Sequence, residues 1–119
     1  MKPHILVVDD ELGPRESLRA VFKGQYTVST ADSATAAQRI LNSEKIDLMI
    51  LDVIMPKKNG GDAYDEIRAM KGDVRAIFIS GYTGDIIDRQ RISEDGANFL
   101  LKPILPEKLL TMVREILDR

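Results

Sequence analysis

The sequence contains no cysteine and a single histidine among its 119 residues. The absence of cysteine excludes disulfide bonds, thiol catalysis and metal sites with cysteine ligands. One histidine, His4, cannot build a zinc site, and we expect it to face solvent at the start of a strand. No apolar run approaches the roughly 18 residues that span a membrane, and none resembles the core of a signal peptide. We therefore expect a cytoplasmic location and no membrane contact.

The chain also has no large excess of positive or negative charge. The 17 Lys and Arg residues nearly balance the 19 Asp and Glu residues, for a net charge of −2. Because no basic stripe is visible, we do not expect this chain to bind nucleic acid directly. The hydrophobic fraction of 44% and the length fit a globular protein. We predict that residues 1–119 form a single domain.

Short apolar runs alternate with segments of helical periodicity. Three of the runs are apolar over four consecutive residues, which is typical of strands that are covered on both faces. The predicted strands are residues 5–8, 26–30, 48–51, 76–79 and 98–101.

Apolar residues at spacings of three and four predict a helix after each strand. Pro14 suits the first turn of the first helix, Asp32 or Ser33 could cap the second, and the last begins near Pro106. The third and fourth are predicted around residues 64–70 and 85–95. This alternation predicts an α/β fold, a (βα)5 doubly wound three-layer sandwich around a five-stranded parallel sheet. The apolar runs do not say which strands are neighbours, and the expected order, 2-1-3-4-5, is the one known from flavodoxin-like sheets.

Ligands of such sheets bind beyond the carboxyl ends of the strands. Asp9 and Asp10 follow the first strand, Asp52 the third, Ser80 the fourth and Lys102 the fifth. Neighbouring first and third strands would bring three carboxylates together, where they repel one another unless a cation lies among them. Oxygen ligands alone favour Mg²⁺, with Mn²⁺ as a substitute. Each residue singly is more typical of a turn, a cap or a solvated surface, so the indication of a site comes from their convergence.

The residue types suit phosphoryl transfer. A carboxylate such as Asp52 can attack phosphorus and form a mixed anhydride. The metal, Lys102 and the Ser80 hydroxyl would stabilise the phosphoryl oxygens. Beyond this stabilisation of charge, the protein only has to position the reacting groups.

These motifs resemble the receiver domain of two-component response regulators along nearly the whole chain. The resemblance implies that Asp52 accepts the phosphoryl group. It also implies that Asp10, Asp52 and the backbone carbonyl of Ile54 bind the metal, with Asp9 helping through a water or a hydrogen bond. The matching segments are 5–11, then 52–56 with a later glycine at 60, then Ser80-Gly81 and Lys102-Pro103.

The resemblance further implies a switch. Ser80 and Lys102 would contact the phosphoryl group, and Phe99 occupies the aromatic switch position, although it could equally fill the core. Phosphorylation would alter the surface formed by the fourth helix, the fifth strand and the fifth helix. That surface would control an output domain, another partner or a homodimer. A histidine kinase or phosphotransfer protein would be the donor, and the chain would not turn over external substrates.

Two positions tune the phosphoryl lifetime in such proteins, and they are Ile54 and Tyr82 here. Our hypothesis is that these bulky side chains hinder an attacking water and prolong the modification. Simple loop packing explains both residues equally well.

Two other functions share part of this pattern. Haloacid-dehalogenase phosphatases also combine acids, Mg²⁺, Ser or Thr and Lys, but their nucleophile stands in an Asp-x-Asp motif on the first strand. Hydrolysis of p-nitrophenyl phosphate would identify one. A flavodoxin-like carrier of flavin mononucleotide needs a phosphate loop after the first strand, where residues 9–11 are acidic. A colourless protein would exclude that function.

Overall fold

The computed structural model describes residues 2–52, 75–80, 98–101 and 104–118. Within those ranges the chain forms five strands and three helices. In chain order they are β1 (His4–Val8), α1 (Leu12–Phe22), β2 (Thr27–Ala31), α2 (Ala34–Ser43), β3 (Leu48–Asp52), β4 (Ala76–Ser80), β5 (Asn98–Leu101) and α3 (Pro106–Leu117).

The strands form one sheet in the order β2-β1-β3-β4-β5, and every neighbouring pair is parallel. This confirms the predicted fold class and order. Each predicted strand lies within one residue of the observed bounds at both ends. The short apolar runs were a strong signal because a strand inside a parallel sheet is covered on both faces and carries few polar residues.

Helices cover both faces of the sheet. Alternate residues of each strand point to opposite faces, so Ile5 and Val7 join one apolar cluster and Leu6 and Val8 join the other. The cluster of Ile5 includes residues of α1 and α3, and the cluster of Leu6 includes residues of α2. The described residues therefore form the three layers that the sequence predicts.

The helix boundaries follow local chemistry. Ser33 caps α2, because its Oγ accepts a hydrogen bond of 3.1 Å from the backbone N–H of Ala36. This decides between the two predicted caps, Asp32 and Ser33. Pro106 opens α3, where its missing N–H costs no helical hydrogen bond. The third and fourth predicted helices lie outside the described residues.

The cap of α2 yields a stability prediction. Replacing Ser33 by alanine leaves the Ala36 N–H without its side-chain acceptor, and we expect the free energy of unfolding to fall by about 1 kcal/mol. Ser43→Ala is the matched control, because that exposed hydroxyl donates only to helix carbonyls near the end of α2. We expect the control to change stability by less than about 0.5 kcal/mol. Urea unfolding of both variants measures the difference, and equal losses would contradict the assigned cap.

His4 is less exposed than the sequence suggests. We expected a solvent-facing residue, but its side chain is 16% exposed and its Nε2 lies 2.7 Å from the Ser29 hydroxyl. The backbone N–H of His4 donates to the Asp47 carboxylate at 2.8 Å. The imidazole lies partly buried at the amino edge of the sheet because the Ser29 hydroxyl of β2 gives its ring nitrogen a hydrogen-bond partner. Within the described ranges, no helix is both long enough and apolar enough to cross a bilayer.

Candidate functional site

Asp9 is the residue that follows β1 at the carboxyl edge of the sheet. It is 3% exposed, and among the described residues it is the only buried side chain that carries a charge. Burying a carboxylate is costly unless it is hydrogen-bonded or paired with a cation. A buried acid at a strand end, where ligands of parallel sheets bind, is therefore an observation that points to a function.

Hydrogen bonds hold Asp9 from several directions. Its backbone N–H donates to the carbonyl oxygen of Ala31 at 3.0 Å, which extends the pairing of β1 with β2 by one residue. Its carboxylate Oδ1 accepts from the backbone N–H of Glu11 at 2.9 Å. Its own carbonyl oxygen accepts from Nη1 of Arg15 at 2.9 Å. The acidic turn that leads into α1 is thus fixed relative to the sheet, and the half-buried Asp10 lies within it.

The strand register brings Asp52 to the same edge. Val8 of β1 is paired with Leu51 of β3, so Asp9 and Asp52 follow a matched pair of residues on adjacent strands. Asp52 is the last residue of β3, and its backbone is paired with Ile79 of β4. The backbone therefore places Asp9 and Asp52 side by side, as the sequence predicts, while the side chain of Asp52 lies outside the described part.

The other predicted residues follow the same edge. Ser80 is the last residue of β4 and is paired with Leu101, the last residue of β5. Phe99 is paired with Phe78 in the same ladder. The side chains of Ser80 and Phe99 lie outside the description, as do the whole residues Ile54, Tyr82 and Lys102.

The donor set suits a hard divalent cation. Asp9 and Asp10 offer carboxylate oxygens at a partly buried edge, and no described histidine stands beside them. Within the described residues, no cluster of three acids or histidines could by itself hold a metal ion. The third carboxylate that the sequence predicts belongs to Asp52, so a complete site requires that side chain.

Two exposed leucines and an apolar cavity lie near this edge. Leu12 at the start of α1 is 63% exposed and Leu105 just before α3 is 64% exposed. Between the two helices lies a mostly apolar cavity of about 300 Å³ that Asp9 borders. The described part of this edge thus combines two exposed leucines and an apolar cavity with a buried acid.

The sequence motifs do not include Arg15. Its one signal in the sequence is its position, because the helix dipole disfavours a cation near the amino end of a helix. In the structure its guanidinium donates to the Asp9 carbonyl.

Comparison with known proteins agrees with this geometry. Residues 5–114 match the family model described as the response regulator receiver domain. The probable transcriptional regulator ycf27 of Cyanidium caldarium is 38% identical over 98% of this chain and 47% of its own length. A response regulator receiver protein from Pseudomonas putida has a TM-score of 0.89 at 35% identity, covering 97% of this chain and 98% of its own.

A more distant structure shows the same fold. A CheY-like receiver domain protein from Methanospirillum hungatei reaches a TM-score of 0.91 at 23% identity, covering 99% of this chain and 95% of its own. The first curated relatives are longer proteins, and the chain spans about half of their length or less.

Proposed function

Because the chain belongs to the response regulator receiver family, we propose that it is a phosphorylation switch in which Asp52 accepts the phosphoryl group. One observation in particular supports the choice of Asp52 as the acceptor. Asp52 ends β3 directly beside the position where the buried Asp9 follows β1. A carboxylate next to buried acids is suited to attack phosphorus only where a cation offsets the charge.

The proposed transfer needs few groups. A carboxylate oxygen of Asp52 forms the new bond to phosphorus while the bond from phosphorus to the donor's imidazole nitrogen breaks. The imidazole leaves with the electron pair and takes a proton from solvent. Mg²⁺, held by Asp10, Asp52 and the Ile54 carbonyl with help from Asp9, would neutralise charge on the phosphoryl oxygens. Lys102 would pair with the same oxygens, and Ser80 would hydrogen-bond to them.

The second half of the cycle, which removes the phosphoryl group, is hydrolysis. Water attacks phosphorus, the bond from phosphorus to the Asp52 carboxylate oxygen breaks, and inorganic phosphate and the free carboxylate are released. In both proposed steps the modified group belongs to the protein itself, so the proposal is a signalling domain and not an enzyme with external substrates. The cytoplasmic location stays a prediction.

Partners are proposed on the same basis. We assign the approach of a histidine kinase or phosphotransfer protein to the surface around Asp9, where Leu12 and Leu105 supply apolar area. Response regulator receivers signal to output domains, and the matched relatives are longer than this chain. A readout or homodimer through the fourth predicted helix, β5 and α3 stays a prediction, because that helix lies outside the described residues, and Phe99 as its aromatic switch residue stays one too.

An intact-mass measurement tests the proposal. The purified chain is incubated with a small acyl phosphate and Mg²⁺, and a mass increase of one phosphoryl group is expected. Chelating the Mg²⁺ beforehand should prevent the increase, because the clustered carboxylates then repel the anionic donor. A chain that stays unmodified with abundant Mg²⁺ would overturn the proposed function.

The phosphoryl lifetime gives a further prediction. We expect Ile54→Asn and Tyr82→Glu to accelerate loss of the modification, because an amide or carboxylate can orient an attacking water that bulky apolar groups hinder. Ile54→Val and Tyr82→Phe are the matched controls and should keep the slow rate. The modified fraction, followed by intact mass over time, measures the effect. Equal rates for all four variants would assign both residues to loop packing.

A further inference from the structure

Arg15 is a half-buried cation beside the acidic turn of residues 9–11, and the phosphoryl transfer proposed above does not involve it. Its Nη1 donates to the main-chain oxygen of Asp9 at 2.9 Å. Within the described part of the chain it forms no ion pair with a carboxylate. Although residues 9–11 and Glu16 are acidic and close in the sequence, this guanidinium contacts a neutral carbonyl, which points to a geometric role and not to charge pairing.

The hydrogen bond acts on the peptide that joins Asp9 to Asp10. A peptide unit is planar, so holding the Asp9 oxygen holds the whole plane and the Cα of Asp10 at its far end. The near end is held as well, because the Asp9 N–H donates to Ala31 at 3.0 Å and its carboxylate accepts from Glu11 at 2.9 Å. The direction in which Asp10 leaves the backbone is therefore fixed by contacts that involve no metal.

Resting on the proposed function, we propose that Arg15 is a positioning residue, which orients the Asp10 carboxylate for the divalent cation through the Asp9 carbonyl. Helix α1 supplies the rigid base, since the Arg15 N–H donates to the Glu11 carbonyl at 3.2 Å in its first turn. Groups that orient a metal ligand from behind commonly change metal affinity by about tenfold or more when they are removed.

A purely electrostatic role makes the opposite prediction. A guanidinium close to Asp10 repels Mg²⁺, so removing its charge would tighten metal binding. Removing a positioning contact loosens binding, since Asp10 must then be ordered when the cation arrives. The sign of the change in Mg²⁺ affinity therefore separates the two roles.

The test is calorimetric titration of the unphosphorylated protein with MgCl₂. For Arg15→Met we expect a dissociation constant about tenfold higher than that of the wild type. Arg15→Lys should fall between the two, because its ammonium can donate to the same carbonyl with fewer donors. Arg19→Met is the matched control on the same helix. That side chain is 54% exposed and pairs only with Glu16 among the described residues, so its loss should leave Mg²⁺ affinity unchanged.

The outcomes separate this proposal from the proposed function. Wild-type protein that neither binds Mg²⁺ nor gains a phosphoryl group would overturn the function itself. Wild-type protein that does both, while Arg15→Met binds Mg²⁺ as tightly or more tightly, would overturn only the role of Arg15. Should Arg15→Met fail to fold, Arg15→Ala, which also lacks a side-chain donor, replaces it in the same comparison, and binding equal to the wild type would again overturn the role.

Discussion

Asp52→Asn is expected to abolish the mass increase that the wild-type chain shows with an acyl phosphate and Mg²⁺. Asparagine keeps the size and shape of the side chain, but its neutral amide cannot act as the attacking carboxylate. The substitution also removes one negative charge from an edge where Asp9 is buried and Asp10 is half-buried. Because like charges close together destabilise a fold, the variant should be at least as stable as the wild type.

Asp47→Asn is the matched control for this experiment. Asp47 immediately precedes β3, whereas Asp52 ends it, so the two aspartates lie at opposite edges of the sheet on the same strand. The Asp47 carboxylate accepts from the backbone N–H of His4, and an asparagine oxygen can accept the same hydrogen bond. Asp47→Asn should therefore gain one phosphoryl group as the wild type does.

Two results would contradict the assignment of Asp52. An unchanged mass increase in Asp52→Asn would mean that another carboxylate is the acceptor, and peptide mapping would identify it. Loss of the increase in both variants would mean that the reaction depends on overall charge and not on the residue at the end of β3. Circular dichroism of both variants checks that each is folded before the masses are compared.

The layout of the fold was predictable because its signals are local. Residues 48–51 are all apolar, so a strand formed by them has no polar residue for a solvent-exposed face. Such a run indicates a strand that is covered on both faces, as in a parallel sheet. Pro106 and Ser33 mark helix starts by their own hydrogen-bonding chemistry. Strand order is different, because nothing in the apolar runs says which strands are neighbours. The expected order is that of flavodoxin-like sheets, and the structure confirms it.

The candidate site was predictable as a list of residues and not as a set of contacts. Strand ends place Asp9 and Asp52 at one edge, since parallel strands share their carboxyl edge. The hydrogen bond from Arg15 to the Asp9 carbonyl depends on the conformation of a long side chain. The spacing of apolar residues in the sequence does not specify that conformation. The prediction that His4 faces solvent is wrong for the same reason, because its side-chain partner Ser29 is distant in sequence.

Leu6→Ala is expected to lower the free energy of unfolding by about 3 kcal/mol, because Leu6 is fully buried in the central part of the sheet. It lies on β1 between Ser29 of β2 and Met49 of β3, in the cluster that packs against α2. Removing three carbon atoms there loses apolar burial and leaves a cavity that flanking strands cannot easily close. In a domain of this size the loss corresponds to a melting temperature lower by about 10 °C.

Leu105→Ala removes the same atoms from a residue that is 64% exposed. Its carbonyl still accepts the first helical hydrogen bond of α3, from Leu109 at 3.1 Å, because that bond involves only the backbone. We therefore expect a change of less than about 0.5 kcal/mol for this control. Urea unfolding of the two variants measures the contrast, and similar losses would mean that Leu105 is covered in solution by a contact such as a second chain. The Leu6 variant should still gain a phosphoryl group, because a loss of about 3 kcal/mol leaves most domains folded and the substitution lies three residues before Asp9.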